Sequence, residues 1–224
     1  MDKEPIFQAE RFDLFATTVV LYRNNSTTLN RKLRQALLED PFYNRPEQAK
    51  ESDTVNLCDL TEKVPAFGEL EKMATQSLGH YCQEIGWTGD FDIDMQMFAN
   101  VSRSGHHVPS HNHVAHIAAV YYISTPEFTG PTLEIDPPFS EYWNTQDGAL
   151  ILHDPRFNAS LLGGWEHFAR VHPSPGLLIM FPAFLWHSVT PHVEQDPRLS
   201  IAINFTLFRT GQQPPRKRVK LHVD

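Results

Sequence analysis

The sequence predicts a mainly β domain with N-terminal helices, built as an antiparallel sandwich, jelly roll or barrel. Three observations predict it. From Phe91 onward the chain is a series of short β-type runs separated by Gly, Pro, Asn and Asp. No helical pattern alternates with those runs, which argues against a parallel α/β sheet. Helical spacing of apolar residues is confined to the first 90 positions.

The elements follow in order. Ile6 to Tyr22 is β-type and reads as one or two strands. Leu29, Leu33, Ala36 and Leu37 recur at helical spacing, so Arg31 to Glu39 is read as a helix that Asp40-Pro41 ends. Phe42 to Glu62 is polar, Pro-interrupted and loop-like. A second helix is expected over Phe67 to Ile85, with Leu70, Met73, Ala74, Leu78 and Tyr81 on one face and Gly86 as its cap. Strands are expected at Phe91–Val101, Ala115–Ser124, Thr132–Asp136, Ala149–His153, Leu177–Phe181, Leu185–Thr190 and Leu199–Phe208. Three parts result: an N-terminal strand and helix region (1–90), a β core (91–210) and a basic Pro-rich tail (211–224). Within the core, 155–173 is rich in aromatics and Gly and reads as a lid-like insert. Phe157, Trp165 and Phe168, with Tyr142 and Trp143 nearby, are its candidate pocket aromatics. The tail reads as a solvated end.

Charge and composition exclude several functions. The formal net charge is −8, a poor basis for gripping phosphate backbones, so no nucleic-acid partner is expected. The longest apolar stretch, Gly176 to Leu185, is broken by Pro182 and too short to span a bilayer, so no membrane partner is expected either. No secretory signal is visible after Met1, and Cys58 and Cys82 fit neither a disulfide scaffold nor a zinc ribbon. A cytoplasmic location with two ordinary thiols is expected. Monomer and homodimer both stay open.

Histidine is the unusual component. Six of the 12 lie between His106 and His153. His111 and His113 stand two apart at the edge of an apolar β-type run. Residues i and i+2 of a strand share a face, so both rings can converge on one metal ion. Further on, His187 stands alone among apolar neighbours. Beyond it, Arg198, Ser200, Ala202 and Asn204 share one face of an alternating strand, and Leu199, Ile201, Ile203 and Phe205 share the other. Arg is suited to gripping a carboxylate in bidentate fashion, and Ser two positions along can add a hydrogen bond.

His111-Asn112-His113, the distal His187, and Arg198 eleven residues later resemble the double-stranded β-helix (jelly roll, cupin-like) of the Fe(II)/2-oxoglutarate oxygenases. The chain is most similar to those oxygenases whose first pair is His-x-His. Val120-Tyr121-Tyr122-Ile123, Asp154-Pro155-Arg156, Phe181 to Pro191 and Arg198 to Asn204 match their other motifs in order. The resemblance spans roughly Phe91 to Phe208. It implies that His111 and His187 bind the metal, with His113 where most of the superfamily has Asp or Glu. It also implies that Arg198, Ser200 and Tyr122 bind the distal carboxylate of 2-oxoglutarate, with Asn204 grouped with these cofactor-binding residues and facing the metal chamber from the same strand. His116 and His153 are alternative ligands.

The expected activity is that of an Fe(II)- and 2-oxoglutarate-dependent dioxygenase of the hydroxylase type. It would act with O2 on a small molecule or a peptide and release succinate and CO2. Two alternatives stay open: a three-His cupin-type dioxygenase that does not use 2-oxoglutarate, and a non-enzymatic jelly-roll binding module. Neutral His113 in place of a carboxylate should lower Fe(II) affinity and admit other divalent metals.

Overall fold

The structure is a computed structural model of the chain and describes residues 16–39, 57–135, 147–156, 168–209 and 219–224. Thirteen elements are placed, in the order β1 (Val20–Arg23), α1 (Thr27–Glu39), α2 (Pro65–Glu84), β2 (Gly89–Ser102), β3 (Val108–His111), β4 (Ile117–Ser124), β5 (Leu133–Ile135), β6 (Leu150–His153), β7 (Phe168–Val171), β8 (Leu177–Pro182), β9 (His187–Val189), β10 (Arg198–Arg209) and β11 (Val219–Val223). A short 3-10 turn, Leu57–Leu60, precedes α2. The strands form two antiparallel sheets. One has six strands in the order β1-β8-β4-β10-β2-β11, the other five in the order β3-β9-β6-β7-β5. This is the jelly roll expected from the sequence.

Each helix forms for a local reason. Leu29, Leu33 and Leu37 recur every four residues and are buried, and the Ser26 hydroxyl accepts the Leu29 N–H at 3.3 Å, capping α1. The helix therefore starts four residues earlier than Arg31. Pro65 opens α2, where its missing N–H is harmless, and Gly86 follows its end at φ 75°. Both helices bury their apolar faces on the convex side of the six-stranded sheet. There Leu33, Phe67, Leu78 and Tyr81 meet Ile93, Met97, Ile201 and Phe205. A second core fills the space between the sheets, with Tyr122, Leu150, Leu152, Ile179, Phe181 and Leu185.

β10 separates these two cores. Arg198 to Arg209 pairs residue for residue with β2 and, through Leu199 to Phe205, with β4. Its Leu199, Ile201, Ile203 and Phe205 join the helix-side core. Arg198, Ser200, Ala202 and Asn204 therefore face the inter-sheet space, as alternation requires.

Three strands stand outside the sequence reading. β3 is short, polar and Pro-containing. β7 lies within the segment read as a lid. β11 lies within the segment read as a solvated tail, yet it pairs with β2 from Val219↔Ile93 to Val223↔Gly89 and buries Val223. The strand expected around Phe12, the aromatics Tyr142, Trp143, Phe157 and Trp165, and most of the lid and tail lie outside the described residues. Both cysteines are buried, and burial pushes the Cys82 thiol up to about 11, so it is an inert core group. Among the described residues, no helix is long and apolar enough to cross a membrane.

If β11 is part of the sheet, truncation after Arg218 should lower stability by about 2 kcal/mol, the scale of burying one Val side chain. A urea midpoint equal to that of the full chain would instead support a solvated tail.

Candidate functional site

Two short strands bring the first two imidazoles together. His111 ends β3 and is paired directly with His187, which begins β9. Their rings lie 4.3 Å apart between centroids. His113 joins them by a different route from the one its spacing suggested. It lies beyond the end of β3, so strand alternation does not aim it. Its backbone N–H donates to the Ala183 carbonyl at 2.9 Å, which ties it to the turn that leads into His187. The result is an Nε2 to Nε2 separation of 3.2 Å between His113 and His187. One nitrogen from each of the three histidines lies within 4.8 Å of the others. Metal–imidazole bonds are about 2.0–2.1 Å, so two ligands at a right angle stand about 3 Å apart. The three histidines fit a metal site.

The backbone sets the orientation of two of these rings. His111 Nδ1 lies 2.8 Å from the Pro109 carbonyl and His187 Nδ1 lies 2.9 Å from the Leu185 carbonyl. A carbonyl can only accept, so each Nδ1 carries the proton and each Nε2 lone pair is left for the site. Burial pushes His187 down to about 4; the Leu185 carbonyl opposes this and the neighbouring His111, His113 and His153 add to it. Burial, then His111, also lowers His113. Near neutral pH both are uncharged, as a metal ligand must be.

The alternative ligands lie outside this cluster. The His116 ring accepts the Leu207 N–H at 3.0 Å and packs edge-on against Trp87. His153 Nε2 is 3.2 Å from the Ser188 hydroxyl.

The space between the sheets also holds a buried cation. Arg198 is 2% exposed, donates from Nη1 to the Ser200 hydroxyl at 3.3 Å, and stacks over the Tyr122 ring at 5.1 Å. Burial pushes the guanidinium down, while Tyr122 and Asp147 hold it up. Burial raises the Tyr122 phenol and the Arg198 charge pulls it back. Arg198 Nε and the Tyr122 hydroxyl have no hydrogen-bond partner, although burial without one is costly. Among the described residues no carboxylate pairs with Arg198. Two unused donors and a buried positive charge are the chemistry that receives a carboxylate. Asn204 lies on the same face, four residues beyond Ser200, and its Oδ1 is also buried without a partner.

Gly148 escaped the sequence reading. It sits at φ +68°, and a Cβ there would meet Arg198 Cδ at 2.7 Å. Next to it, Asp147 Oδ1 accepts the Thr190 hydroxyl at 3.1 Å. Asp147-Gly148 signals a turn, but nothing in the dipeptide says which side chain will lie against it.

Known proteins agree with this geometry. Residues 96–204 match a family profile described as "Putative 2OG-Fe(II) oxygenase". No curated protein sequence matches the chain. Several solved structures share its fold. AviO1 from Streptomyces viridochromogenes is 10% identical with a TM-score of 0.54, covering 89% of this chain and 93% of its own. EctD from S. alaskensis, solved with 2-oxoglutarate and 5-hydroxyectoine, is 12% identical with a TM-score of 0.51, covering 84% and 71%. The viral collagen prolyl hydroxylase of Paramecium bursaria Chlorella virus-1 is 10% identical with a TM-score of 0.50, covering 89% and 98%. Residues 96–204, which hold all three clustered histidines and Arg198, are thus similar to the 2OG-Fe(II) oxygenase family, whose cofactors are Fe(II) and 2-oxoglutarate.

Proposed function

We propose that this chain is a hydroxylase-type 2-oxoglutarate-dependent oxygenase in which His111, His113 and His187 hold Fe(II). Arg198, Ser200 and Tyr122 hold the distal carboxylate of 2-oxoglutarate. The observation that carries this reading is the presence, between the two sheets, of both a three-nitrogen cluster and a buried guanidinium whose Nε has no hydrogen-bond partner. Bound Fe(II) would let O2 act as the oxidant, with two electrons from 2-oxoglutarate, which leaves as succinate and CO2, and two from the substrate, a small molecule or a peptide.

The chain's own residues do the positioning. The Pro109 and Leu185 carbonyls fix the proton on Nδ1 of His111 and His187, so Nε2 of each is presented without rearrangement. Apolar side chains, among them Leu150, Leu152, Ile179 and Leu185, surround the chamber and keep water from it. Arg198 neutralises the far carboxylate, and the Tyr122 hydroxyl and Ser200 orient it. Gly148 leaves the space in which the Arg198 side chain lies.

The second reading, a three-His dioxygenase without 2-oxoglutarate, draws on His113 standing where a carboxylate is usual. It leaves the buried Arg198 without a task. Titration of the anaerobic Fe(II) protein with 2-oxoglutarate separates the two. A weak charge-transfer band in the visible is expected on the first reading, and its absence at saturating 2-oxoglutarate would sink that reading.

Four variants probe the parts. His187→Ala should abolish succinate release from 2-oxoglutarate and weaken Fe(II) binding by more than about 100-fold; wild-type turnover would refute the ligand set. His113→Asp adds a negative charge beside the metal and should tighten Fe(II) binding on the order of tenfold, read by anaerobic titration. Arg198→Gln should raise KM for 2-oxoglutarate about 30-fold, equivalent to roughly 2 kcal/mol, with Fe(II) affinity kept. Gly148→Ala should act in the same direction by displacing Arg198, with KM moving more than kcat.

A further inference from the structure

The paired strands of the large sheet form a grid, and its rows can be read across. At the level of the histidines, Phe181 pairs with Ala118, Ala118 with Asn204, and Asn204 with Gln96. The Phe181 ring lies 5.0 Å from that of His187, edge to face. Neighbouring strands are about 4.8 Å apart, so Asn204 stands roughly 10 Å across the sheet from Phe181. Only the methyl group of Ala118 rises between them, and Ala202 is the next residue along β10 on this face. The floor beside the three histidines is therefore low, and two carboxamides on adjacent strands bound it.

Asn204 lies away from the carboxylate that Arg198 receives. It is four residues from Ser200 along an extended strand, roughly 13 Å. That places it at the metal end of the chamber, where the substrate must also lie. Its Oδ1 is nonetheless buried with no partner. A buried amide oxygen without a partner costs on the order of 1–3 kcal/mol, a cost that a bound donor can relieve. Asn204 and Gln96 each offer one acceptor and one donor head, side by side and facing the chamber. An amide group is the ligand complementary to such a pair, because it presents one N–H and one C=O. Across the next row, Thr206 pairs with Asp94, whose carboxylate can accept but not donate, so this wall favours ligands that bring N–H groups.

We infer that Asn204 and Gln96 form the substrate subsite of this oxygenase and select an amide-bearing substrate, a peptide or an N-acylated small molecule, by hydrogen-bonding its amide. This rests on the proposed function and names the substrate class for that same site. Asn204 then belongs to the substrate side of the chamber, whereas the sequence had grouped it with the co-substrate residues.

The test uses the full chain loaded with Zn(II), a redox-inactive stand-in, and saturated with 2-oxoglutarate. The probes are a panel of N-acetyl amino-acid N-methylamides, each matched to its methyl ester, which lacks the N–H. Binding is read by saturation-transfer NMR. At least one amide should bind about tenfold more tightly than its ester, the scale of one unmade hydrogen bond in a buried site. Asn204→Leu should reduce that ratio to about twofold, and Gln96→Met, on the neighbouring strand, should do the same. In both variants the affinity for 2-oxoglutarate should stay within twofold of wild type. Equal amide and ester binding across the panel, or an undiminished ratio in both variants, overturns the inference. So does loss of 2-oxoglutarate binding in Asn204→Leu, which returns the residue to the co-substrate. If wild-type protein itself fails to bind 2-oxoglutarate, the proposed function falls; if it binds 2-oxoglutarate but shows no amide preference, only this inference falls.

Discussion

The period of two along β10 is the constraint on which the rest of the molecule depends. This strand is hydrogen-bonded on both sides, to β2 and to β4, so a slip of one residue is opposed along its whole length. Such a slip would turn Leu199, Ile201, Ile203 and Phe205 into the chamber and drive Arg198 and Ser200 into the helix-side core. The hydrophobic burial that seats α1 and α2 therefore also fixes where the guanidinium points. Fold stability and the proposed co-substrate site are two faces of one register.

The histidines are held by a different device. His111 and His187 are fixed by one cross-strand pair, and β3 and β9 are only four and three residues long. So short a ladder would hold loosely by itself. Its rigidity comes from neighbours. β9 also pairs with β6, and the loop carrying His113 is tied to the turn after β8 by the backbone bonds from His113 to Ala183 and from Ala183 to His116. The large sheet thus supports the small one at the point where the ligands converge.

Much of this was legible in the sequence because it rests on strong local patterns. Clean alternation identified β10 and both of its faces, and helical apolar spacing identified α1 and α2. Weak patterns were lost. β3 reads Val108-Pro109-Ser110-His111 and β11 reads Val219-Lys220-Leu221-His222-Val223. Each is too short or too polar to announce burial; β11 exists because the longer β2 offers it an edge, and β3 because β9, itself held by β6, offers one. His113 was identified for an incomplete reason: spacing suggested a shared strand face, whereas a long-range backbone hydrogen bond places it. Gly148 could not be found from sequence at all. Its requirement comes from Arg198, fifty residues away along the chain, and becomes visible only when the two are superposed in space.

Charge explains why these parts belong together. Three imidazoles contribute no negative charge, so a divalent metal among them keeps its full double charge inside a low-dielectric chamber, and Arg198 adds a third positive charge at the far end. A doubly negative co-substrate bridging the two would offset most of this, which gives an anion a reason to enter that a carboxylate-bearing triad would provide less strongly. One positive charge would remain. Asp147, close enough to Arg198 to hold its pKa up, balances that end. A neutral amide substrate beside the histidines adds no further charge to a chamber already balanced, whereas a cationic one would meet the metal unscreened. The replacement of a carboxylate by His113 and the neutral carboxamide wall of Asn204 and Gln96 are then two consequences of one electrostatic condition.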